Sequence, residues 1–500
     1  MTSPADDTTF PSTAATASPA PRTGTPESHG IPSAAIEQLI DDLERQGLDP
    51  HALQISRRGD DGGWTDVFTC AWQPFSAPQP ALVYSVSKTF TSLAIGLLAS
   101  EERLTLDDSV GDLLGLPNPH GLTVRHLLTM NTGHDPAQID ALGFDVRALL
   151  TVPPAATPGT SFAYNSDATY ALSCIVTALT GERLTDYLRP RLLDPLGIGE
   201  RWMKPARGVE QGFSGFHLTV GDIARVATML ADGGRFGGAQ VVPAEYVTEL
   251  SHPWSDTRDP AQPDDTDNDW GLGYGFQVWR SRVGFRLDGA YGQFGIVDAA
   301  RGIVIAYQGS TLDTQSTLRS FWRLLDAVSD APATGDVDAS PRTDGPAAAL
   351  ADRAAALDSW SARDLLRPDP AITIPADGWR LVESATGWSL VFPETDTLEA
   401  VSIPVGDATW ERSTLVLPAP PDGGDAVVSS PPVDDATHVA VAARGARVAD
   451  GILVHLVVPT SPHRMIVRSD ATGSLQAHWH TVPLQGPMLS TLAVPEWVIG

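Results

Sequence analysis

The sequence predicts an α+β domain followed by a smaller all-β domain. Residues 85–230 carry mainly helical periodicity, and residues 274–309 show the alternation typical of strands. Short strand candidates separated by turn residues appear again after residue 371. Five hundred residues also exceed what one hydrophobic core normally supports, so at least two domains are expected.

The first predicted domain covers residues 28–328. It follows a leader, residues 1–27, whose Ser, Thr, Pro and Ala content predicts disorder. Strands and helices at both ends of the domain form a frame, and the helical region is inserted between them. The elements expected in chain order are a helix near 36–43, a strand near 53–56, helices from 85, at 124–130 and at 169–179, strands over 274–309, and a helix over 318–328.

Residues 329–370 are rich in Ala, Asp and Pro and are predicted to be a linker containing a short helical patch. The all-β domain then covers residues 371–500. Its histidines are scattered along the chain, and no motif in it indicates chemistry, so we predict a packing role or a homo-oligomer formed through it. Its strand candidates are 389–392, 414–417, 438–442, 452–458 and 465–467.

The formal net charge of −28 argues against binding to nucleic acid or to an anionic membrane surface, because both attract basic patches. No stretch approaches the ~18–20 apolar residues of a membrane span, and the N-terminus lacks an apolar signal core. We therefore expect a cytoplasmic protein. Cys70 and Cys174 are too few and too far apart for a disulfide framework and are expected to be reduced thiols.

Ser85 and Lys88 form an SxxK tetrad in a chain that has only one other lysine, Lys204, among 33 basic residues. An arginine keeps its proton in a protein, whereas a desolvated lysine can lose it and act as a base. The spacing also places the two side chains on one face of a helix, within reach of each other. The tetrad therefore predicts a serine nucleophile with a lysine activator. The alternative is that Ser85 caps a helix and Lys88 is a solvated residue of its first turn.

A second polar cluster lies around Tyr164, in a loop immediately before a predicted helix. A tyrosine hydroxyl beside a lysine amine can relay a proton, and the neighbouring Asn165 or Ser166 can orient a substrate. The alternative is a turn in which Tyr164 packs into a core while Ser166 and Asp167 cap the helix.

The third segment begins at Asp288 and continues through Gly289, Ala290 and Tyr291 into an apolar stretch. Glycine at a strand edge permits close approach of a substrate, and an N–H group there could complete an oxyanion hole with that of Ser85. The alternative is an ordinary hairpin strand kinked at its glycines.

These three segments occur in an order that resembles the serine β-lactamase and penicillin-binding-protein superfamily. The quoted matches are SVSK at 85–88, PGTSFAYNS at 158–166 and DGAYGQF at 288–294. Three intervening stretches are similar to class C β-lactamase-related serine hydrolases and esterases: LTVRHLLTMNTGH at 122–134, YLRPRLLDPLGI at 187–198 and LTVGDIARVATML at 218–230. The likeness spans about residues 25–328 and implies an antiparallel sheet flanked by helices, with a helical subdomain.

The resemblance implies that Ser85 is acylated, that Lys88 is the general base and that Tyr164 shares the proton transfer. Substrate contacts would come from Asn165, Ser166, Asp288, Gly289, Ala290 and Tyr291, with no metal and no organic cofactor. This chain departs from the family pattern at two positions. The family has Asn at the position of Ser166 and commonly Lys or His at the position of Asp288. A carboxylate at 288 would repel an anionic substrate.

The expected activity is therefore hydrolysis of a neutral or cationic ester or amide through an acyl-enzyme. Hydrolysis of a β-lactam or D-peptide is the alternative within enzymes, and a catalytically silent ligand-binding module is the alternative outside them. Two other patterns are rejected. Asp265, Asp267 and Asp269 lack the glycine and glutamate of a calcium loop, and residues 212–215 miss the GxSxG spacing of a nucleophile elbow by one position.

Overall fold

We describe the protein from a computed structural model, in which the described residues are 22–262, 264–328, 345–361, 363–367, 373–374, 376–393, 400–418, 424 and 426–499. The helices are α1 (Ser33–Arg45), α2 (Ser87–Ser100), α3 (Val110–Leu114), α4 (Val124–Leu128), α5 (Pro136–Leu142), α6 (Val146–Thr151), α7 (Ser166–Thr180), α8 (Leu184–Leu188), α9 (Val220–Ala231), α10 (Ala244–Ser251), α11 (Thr314–Asp326), α12 (Pro346–Ala355) and α13 (Glu496–Ile499).

The strands of the first domain are β1 (Arg22–Thr23), β2 (Pro50–Arg58), β3 (Trp64–Ala71), β4 (Ala81–Leu82), β5 (Pro205–Ala206), β6 (Val209–Glu210), β7 (His217–Leu218), β8 (Arg235–Phe236), β9 (Ala239–Gln240), β10 (Trp279–Arg280), β11 (Phe285–Gly289), β12 (Gln293–Asp298) and β13 (Ile303–Gly309). Those of the second domain are β14 (Thr373–Ile374), β15 (Arg380–Ser384), β16 (Gly387–Phe392), β17 (Val401–Asp407), β18 (Glu411–Val416), β19 (His438–Val448), β20 (Gly451–Val457), β21 (Arg464–Ser469) and β22 (Leu475–Trp479).

A seven-stranded sheet forms the frame of the first domain, in the order β1-β3-β2-β13-β12-β11-β10. Its pairs are antiparallel except for β1 with β3. The central strands β12 and β13 are buried along their whole length because both faces of the sheet are covered. Helices α1 and α11 pack on one face, and α9 packs on the other. The predicted α+β domain with an antiparallel sheet is confirmed.

The inserted region between β4 and β10 is mainly helical, as expected. Its centre is α2, whose residues from Ser87 to Leu98 are all buried. A helix that is buried on every side lies inside the domain, and α2 packs against α7. Helices α3, α4 and α6 in turn pack against α7.

The second domain is a nine-stranded sheet in the order β14-β22-β21-β20-β19-β17-β16-β15, with β18 also paired to β19. The five strand candidates overlap β16, β18, β19, β20 and β21, and the candidates 414–417 and 452–458 each extend one residue beyond the observed strand. Strands β14, β15, β17 and β22 were not predicted. The core of this domain is apolar and includes Trp202, which the first domain contributes.

Two predicted boundaries differ from the structure. Residues 1–21 of the leader lie outside the described residues, but Arg22 and Thr23 pair with β3, so the globular part begins before residue 28. Residues 329–344 of the linker also lie outside the described residues. The part that follows is packed, because Leu350 of α12 and Leu357 join the core formed by α1 and α11. None of the helices described is both long and apolar enough to span a membrane.

Candidate active site

The candidate nucleophile lies at the start of the most buried helix. Residues Tyr84–Val86 form a 3₁₀ turn that continues directly into α2. The chain before this turn is fixed by β4, which pairs with β7, and by the Val83 N–H group, which donates to the Phe216 carbonyl. Ser85 is therefore held at a helix entrance, where the first backbone N–H groups lack intrahelical acceptors.

The amine of Lys88 lies inside the protein beside Ser85. The side chain is only 1% exposed, so the alternative of a solvated Lys88 is wrong. Its Nζ is 3.0 Å from the Ser85 Oγ, 3.1 Å from the Ser166 Oγ and 2.9 Å from the Phe213 carbonyl oxygen. Within the described part of the chain, these hydrogen-bond partners are all uncharged.

The hydrogen-bond geometry determines where the lone pair of the neutral Lys88 amine points. The Phe213 carbonyl oxygen can only accept, and the Ser166 hydroxyl can accept as well, so these two groups take the two N–H bonds of a neutral lysine. The nitrogen lone pair then remains for the Ser85 O–H group. Lys88 can thus accept the Ser85 proton without moving.

Burial lowers the pKa of Lys88 to about 7, although the negative charge of nearby Asp167 opposes this shift. Close to neutral pH, a substantial fraction of the lysine is therefore a free amine. Burial also raises the pKa of Asp167 itself to about 6, and its carboxylate accepts a hydrogen bond from the Phe144 N–H group. The charge of Asp167 is thus part of what sets the basicity of Lys88.

Tyr164 stands over the amine, with Lys88 Nζ 4.8 Å from the centre of its ring. Its side chain is 38% exposed, and it stacks against Trp279 and meets Tyr274 edge to face. Burial of the hydroxyl raises the pKa of Tyr164, and a hydrogen bond with Ser85 partly opposes that effect. Tyr164 therefore remains protonated and forms part of an aromatic wall beside the nucleophile.

The two residues after Tyr164 have different positions. Asn165 is fully buried at the N-cap of α7, where its side chain accepts from the Ala168 N–H group and donates to the Thr132 hydroxyl. Both ends of its amide are engaged, so this placement does not favour the predicted substrate contact of Asn165. The alternative in which Ser166 and Asp167 cap the helix is also wrong, because Ser166 faces Lys88 instead.

The third segment forms the β11–β12 hairpin beside the nucleophile. A Cβ atom at Gly289 would lie 2.3 Å from the Val83 carbonyl oxygen, so only glycine allows this close approach. The turn at 289–292 is closed by the Gly292 N–H group, which donates to the Gly289 carbonyl. Ala290 and Tyr291 lie in that turn. The segment is thus both a hairpin kinked at its glycines and the part of the chain that carries the predicted site residue Gly289.

Asp288 does not carry an isolated charge. Its carboxylate accepts a hydrogen bond of 2.7 Å from Nε of Arg286, whose side chain is completely buried. Burial raises the pKa of Asp288, and the charge and hydrogen bond of Arg286 oppose this. The pair is close to neutral overall. The repulsion of an anionic substrate is therefore weaker than a lone carboxylate at 288 would cause.

The Phe213 carbonyl was not predicted, although it lies in the segment 212–215 that was rejected as a nucleophile elbow. Gly212 has a left-handed backbone with φ 64°, and a Cβ atom there would lie 2.7 Å from Cβ of Ser173. This turn aims the next carbonyl at Lys88. The only sequence signal was the glycine at 212, because a backbone acceptor has no side-chain signature.

The rejected acidic series has a structural role at one position. Asp269 is buried, accepts from the indole of Trp322 and pairs with Arg282. In the ranges the structure describes, no group of three or more His, Cys, Asp or Glu side chains has metal-binding geometry. Cys70 and Cys174 are both buried and free.

The profile of the Beta-lactamase family matches residues 58–329. A search of curated protein sequences finds no match.

Three similar solved structures share 16–20% of residues with this chain. A novel penicillin-binding-protein homologue from Caulobacter crescentus is 20% identical, over 62% of this chain and 99% of that one, with a TM-score of 0.47. A family VIII carboxylesterase is 16% identical, over 59% and 99%, with a TM-score of 0.44. SurE is 16% identical, over 89% and 92%, with a TM-score of 0.47.

Proposed function

This chain belongs to the Beta-lactamase family, and from that membership and the geometry around Ser85 we propose that it is a serine hydrolase that cleaves an ester or amide through an acyl-enzyme. The observation that carries the proposal is the buried Lys88 amine 3.0 Å from the Ser85 hydroxyl, with its other hydrogen bonds directed to neutral groups.

In the proposed first step, Ser85 Oγ attacks the substrate carbonyl carbon while its proton passes to Lys88 Nζ. The carbonyl π bond opens, and the oxygen takes the negative charge. Backbone N–H groups of Ser85 and of Ala290 or Tyr291 would stabilise this oxyanion. When the intermediate collapses, the bond to the leaving group breaks, and the alcohol or amine receives the proton from Lys88 with Tyr164 as the relay.

The second step repeats the sequence with water as the nucleophile. Water gives a proton to Lys88, and its oxygen attacks the acyl carbon of the ester on Ser85. Collapse of this intermediate releases the carboxylic acid and returns the proton to Ser85 Oγ. The residues return to their starting protonation states, so no co-reactant other than water is needed.

The substrate class is proposed from the surfaces beside the nucleophile. Tyr164 and Trp279 offer aromatic faces, which bind apolar groups and also cations, and the buried ring of Tyr274 packs against both. Arg286, the arginine that pairs with Asp288, also donates to the Arg280 carbonyl. Both observations favour a neutral or cationic ester or amide over an anionic one.

The proposal is tested by treating the protein with a fluorophosphonate and, separately, with a penicillin, followed by intact-protein mass spectrometry and peptide mapping. We expect a single phosphonyl adduct on the peptide containing Ser85, and faster turnover of a short p-nitrophenyl ester than of a chromogenic cephalosporin. An adduct on another residue would overturn the assignment of the nucleophile.

Two other results would change the assigned activity. A clear preference for the cephalosporin would make the protein a β-lactamase or D-peptide hydrolase. A stoichiometric burst of nitrophenol without further turnover would instead make it a ligand-binding protein that has lost deacylation.

A further inference from the structure

Two tyrosines next to the candidate catalytic groups have left-handed backbones. Tyr84, immediately before the nucleophile, has φ 48°, and Tyr291, in the turn proposed to supply an oxyanion donor, has φ 65°. Large side chains rarely adopt this conformation, and it persists only where the surrounding structure holds it in place. The contacts that hold these two residues therefore bear on the position of Ser85.

The hydroxyls of both tyrosines are bound by the second domain. Tyr84 Oη is 2.5 Å from His463 Nε2, and the Leu484 N–H group lies 3.4 Å from the same oxygen. Tyr291 Oη donates to the Val482 carbonyl. The rings of Tyr84, Tyr291 and His463 also pack edge to face, with centres 5.1–5.8 Å apart.

The hydrogen bond between Tyr84 and His463 has a defined direction. Nδ1 of His463 is 2.9 Å from the Thr481 carbonyl, which can only accept, so Nδ1 carries the proton. Nε2 is then an acceptor for the Tyr84 hydroxyl. Burial lowers the pKa of His463 to about 3, although the hydrogen bond to Thr481 opposes this, so the ring stays neutral at physiological pH.

A backbone contact strengthens the same connection. The Leu82 N–H group donates to the Thr460 carbonyl over 2.9 Å, three residues before His463. The segment that leads to the nucleophile is thus bound by the second domain at Leu82 and again at Tyr84.

We propose that the C-terminal β domain is part of the catalytic machinery, and that His463 is a positioning residue that sets the backbone of Tyr84 and thereby aligns Ser85 for acylation. Tyr291, whose hydroxyl donates to the Val482 carbonyl, is held by the same domain. This inference rests on the proposed acyl-enzyme function. The second domain thereby takes part in the reaction, beyond the packing or oligomerisation role expected from its sequence.

The test measures the rate at which a fluorophosphonate acylates Ser85, by intact-protein mass spectrometry, in full-length variants. We expect Tyr84→Phe and His463→Leu to react about tenfold more slowly, the effect of losing one orienting hydrogen bond. His463→Gln should recover most of the rate, because its amide oxygen can still accept from the Tyr84 hydroxyl. With an ester substrate, kcat should fall while KM changes little.

Tyr246→Phe is the matched control. Its side chain is also buried, at 7% exposed against 3% for Tyr84, and its hydroxyl donates to the Ser92 carbonyl of the first domain. We expect it to be acylated at the wild-type rate. Thermal unfolding of each variant shows that the rates refer to folded protein.

The outcomes separate this inference from the proposed function. Folded Tyr84→Phe and His463→Leu proteins that react as fast as the wild type would overturn the positioning role and leave the hydrolase proposal standing. A wild-type protein that is not labelled at Ser85 would overturn the hydrolase proposal itself. If His463→Leu does not fold, Tyr84→Phe decides alone, because it removes only a hydroxyl.

Discussion

Arg464 and Asp49 form a fully buried ion pair that joins the two domains, with Nη2 of the arginine 2.7 Å from Oδ1 of the aspartate. Burial alone would raise the pKa of Asp49, but the charge of Arg464 and the nearby ring of His51 hold this pKa well below its usual value. The first sheet and the second domain are thus connected by opposite charges that have no access to water.

Removing one member of this pair should destabilise the whole protein. Arg464→Met leaves the Asp49 carboxylate buried without its cation, and we expect a loss of about 3–5 kcal/mol in the free energy of unfolding. Urea denaturation measures this. Arg447→Met is the control, because Arg447 pairs with Glu383 at an exposed position where such pairs contribute ~1 kcal/mol or less. Equal losses in the two variants would contradict the prediction.

The same pair predicts how stability responds to acid. The pKa of Asp49 is lower in the folded protein than the ordinary 3.8, so its stabilisation is present above that value and is lost as the pH falls below it. We expect the wild-type midpoint of unfolding in urea to decrease below about pH 4. The Asp49→Asn variant should start less stable and show a smaller decrease.

The rate of hydrolysis should depend on a group with a pKa of about 7. Only the free amine of Lys88 can take the proton from Ser85, so kcat/KM should rise with pH through about 7 and then level off. Because Asp167 raises the pKa of Lys88, Asp167→Asn should move this rise to lower pH. If kcat/KM rises at the same pH in Asp167→Asn as in the wild type, the charge of Asp167 does not influence the pKa of Lys88.

Lys88→Arg keeps the positive charge but removes the base, because arginine does not lose its proton in a protein. We expect kcat to fall by at least ~10²-fold, the lower end of general-base contributions. Lys204→Arg is the matched control, since among the described residues its amine donates to the Thr491 carbonyl and not to Ser85 or Ser166. Near-normal turnover by Lys88→Arg would exclude it from the mechanism.

Gly289→Ala should separate the third segment from the nucleophile, because the new methyl group would meet the Val83 carbonyl at 2.3 Å. We expect kcat/KM to fall by about tenfold or more, since small displacements at a reacting centre are costly. Gly221→Ala is the control, because a Cβ atom there has no neighbour closer than 3.5 Å and alanine favours the helix. If Gly289→Ala and Gly221→Ala are equally active, the close approach of Gly289 to Val83 is not needed for activity.

Asp288→Asn should change substrate preference by leaving the buried charge of Arg286 without its partner. We expect kcat/KM for an ester that bears a carboxylate to rise about tenfold relative to a neutral ester of the same length. The two p-nitrophenyl esters can be compared in one assay. An unchanged ratio would mean that substrate does not approach this pair.

Side chains with an unusual context were predictable from the sequence, and backbone groups and long-range contacts were not. Lys88 was predictable because nearly all other cationic residues of the chain are arginine. Its spacing from Ser85 then placed the two side chains on one face of a helix. The Phe213 carbonyl and the ring of His463 come from distant segments. A backbone acceptor and a single histidine carry no pattern that local periodicity can detect.

The same limit applies to the fold. Strands with clear apolar alternation, such as β20, were predicted, whereas β17 was missed because it contains Pro404, which normally argues against a strand. Asn165 shows a different difficulty. Its residue type suits both a substrate contact and a helix cap, and only the position of Thr132 shows that both ends of its amide are engaged in the structure.

Because the chain contains only two lysines, loss of the proton from Lys88 can be observed directly by spectroscopy. Feeding isotopically enriched lysine would produce only two side-chain NMR signals, from positions 88 and 204. A titration followed at these two resonances would report when each ammonium gives up its proton, without any substrate, inhibitor or mutation.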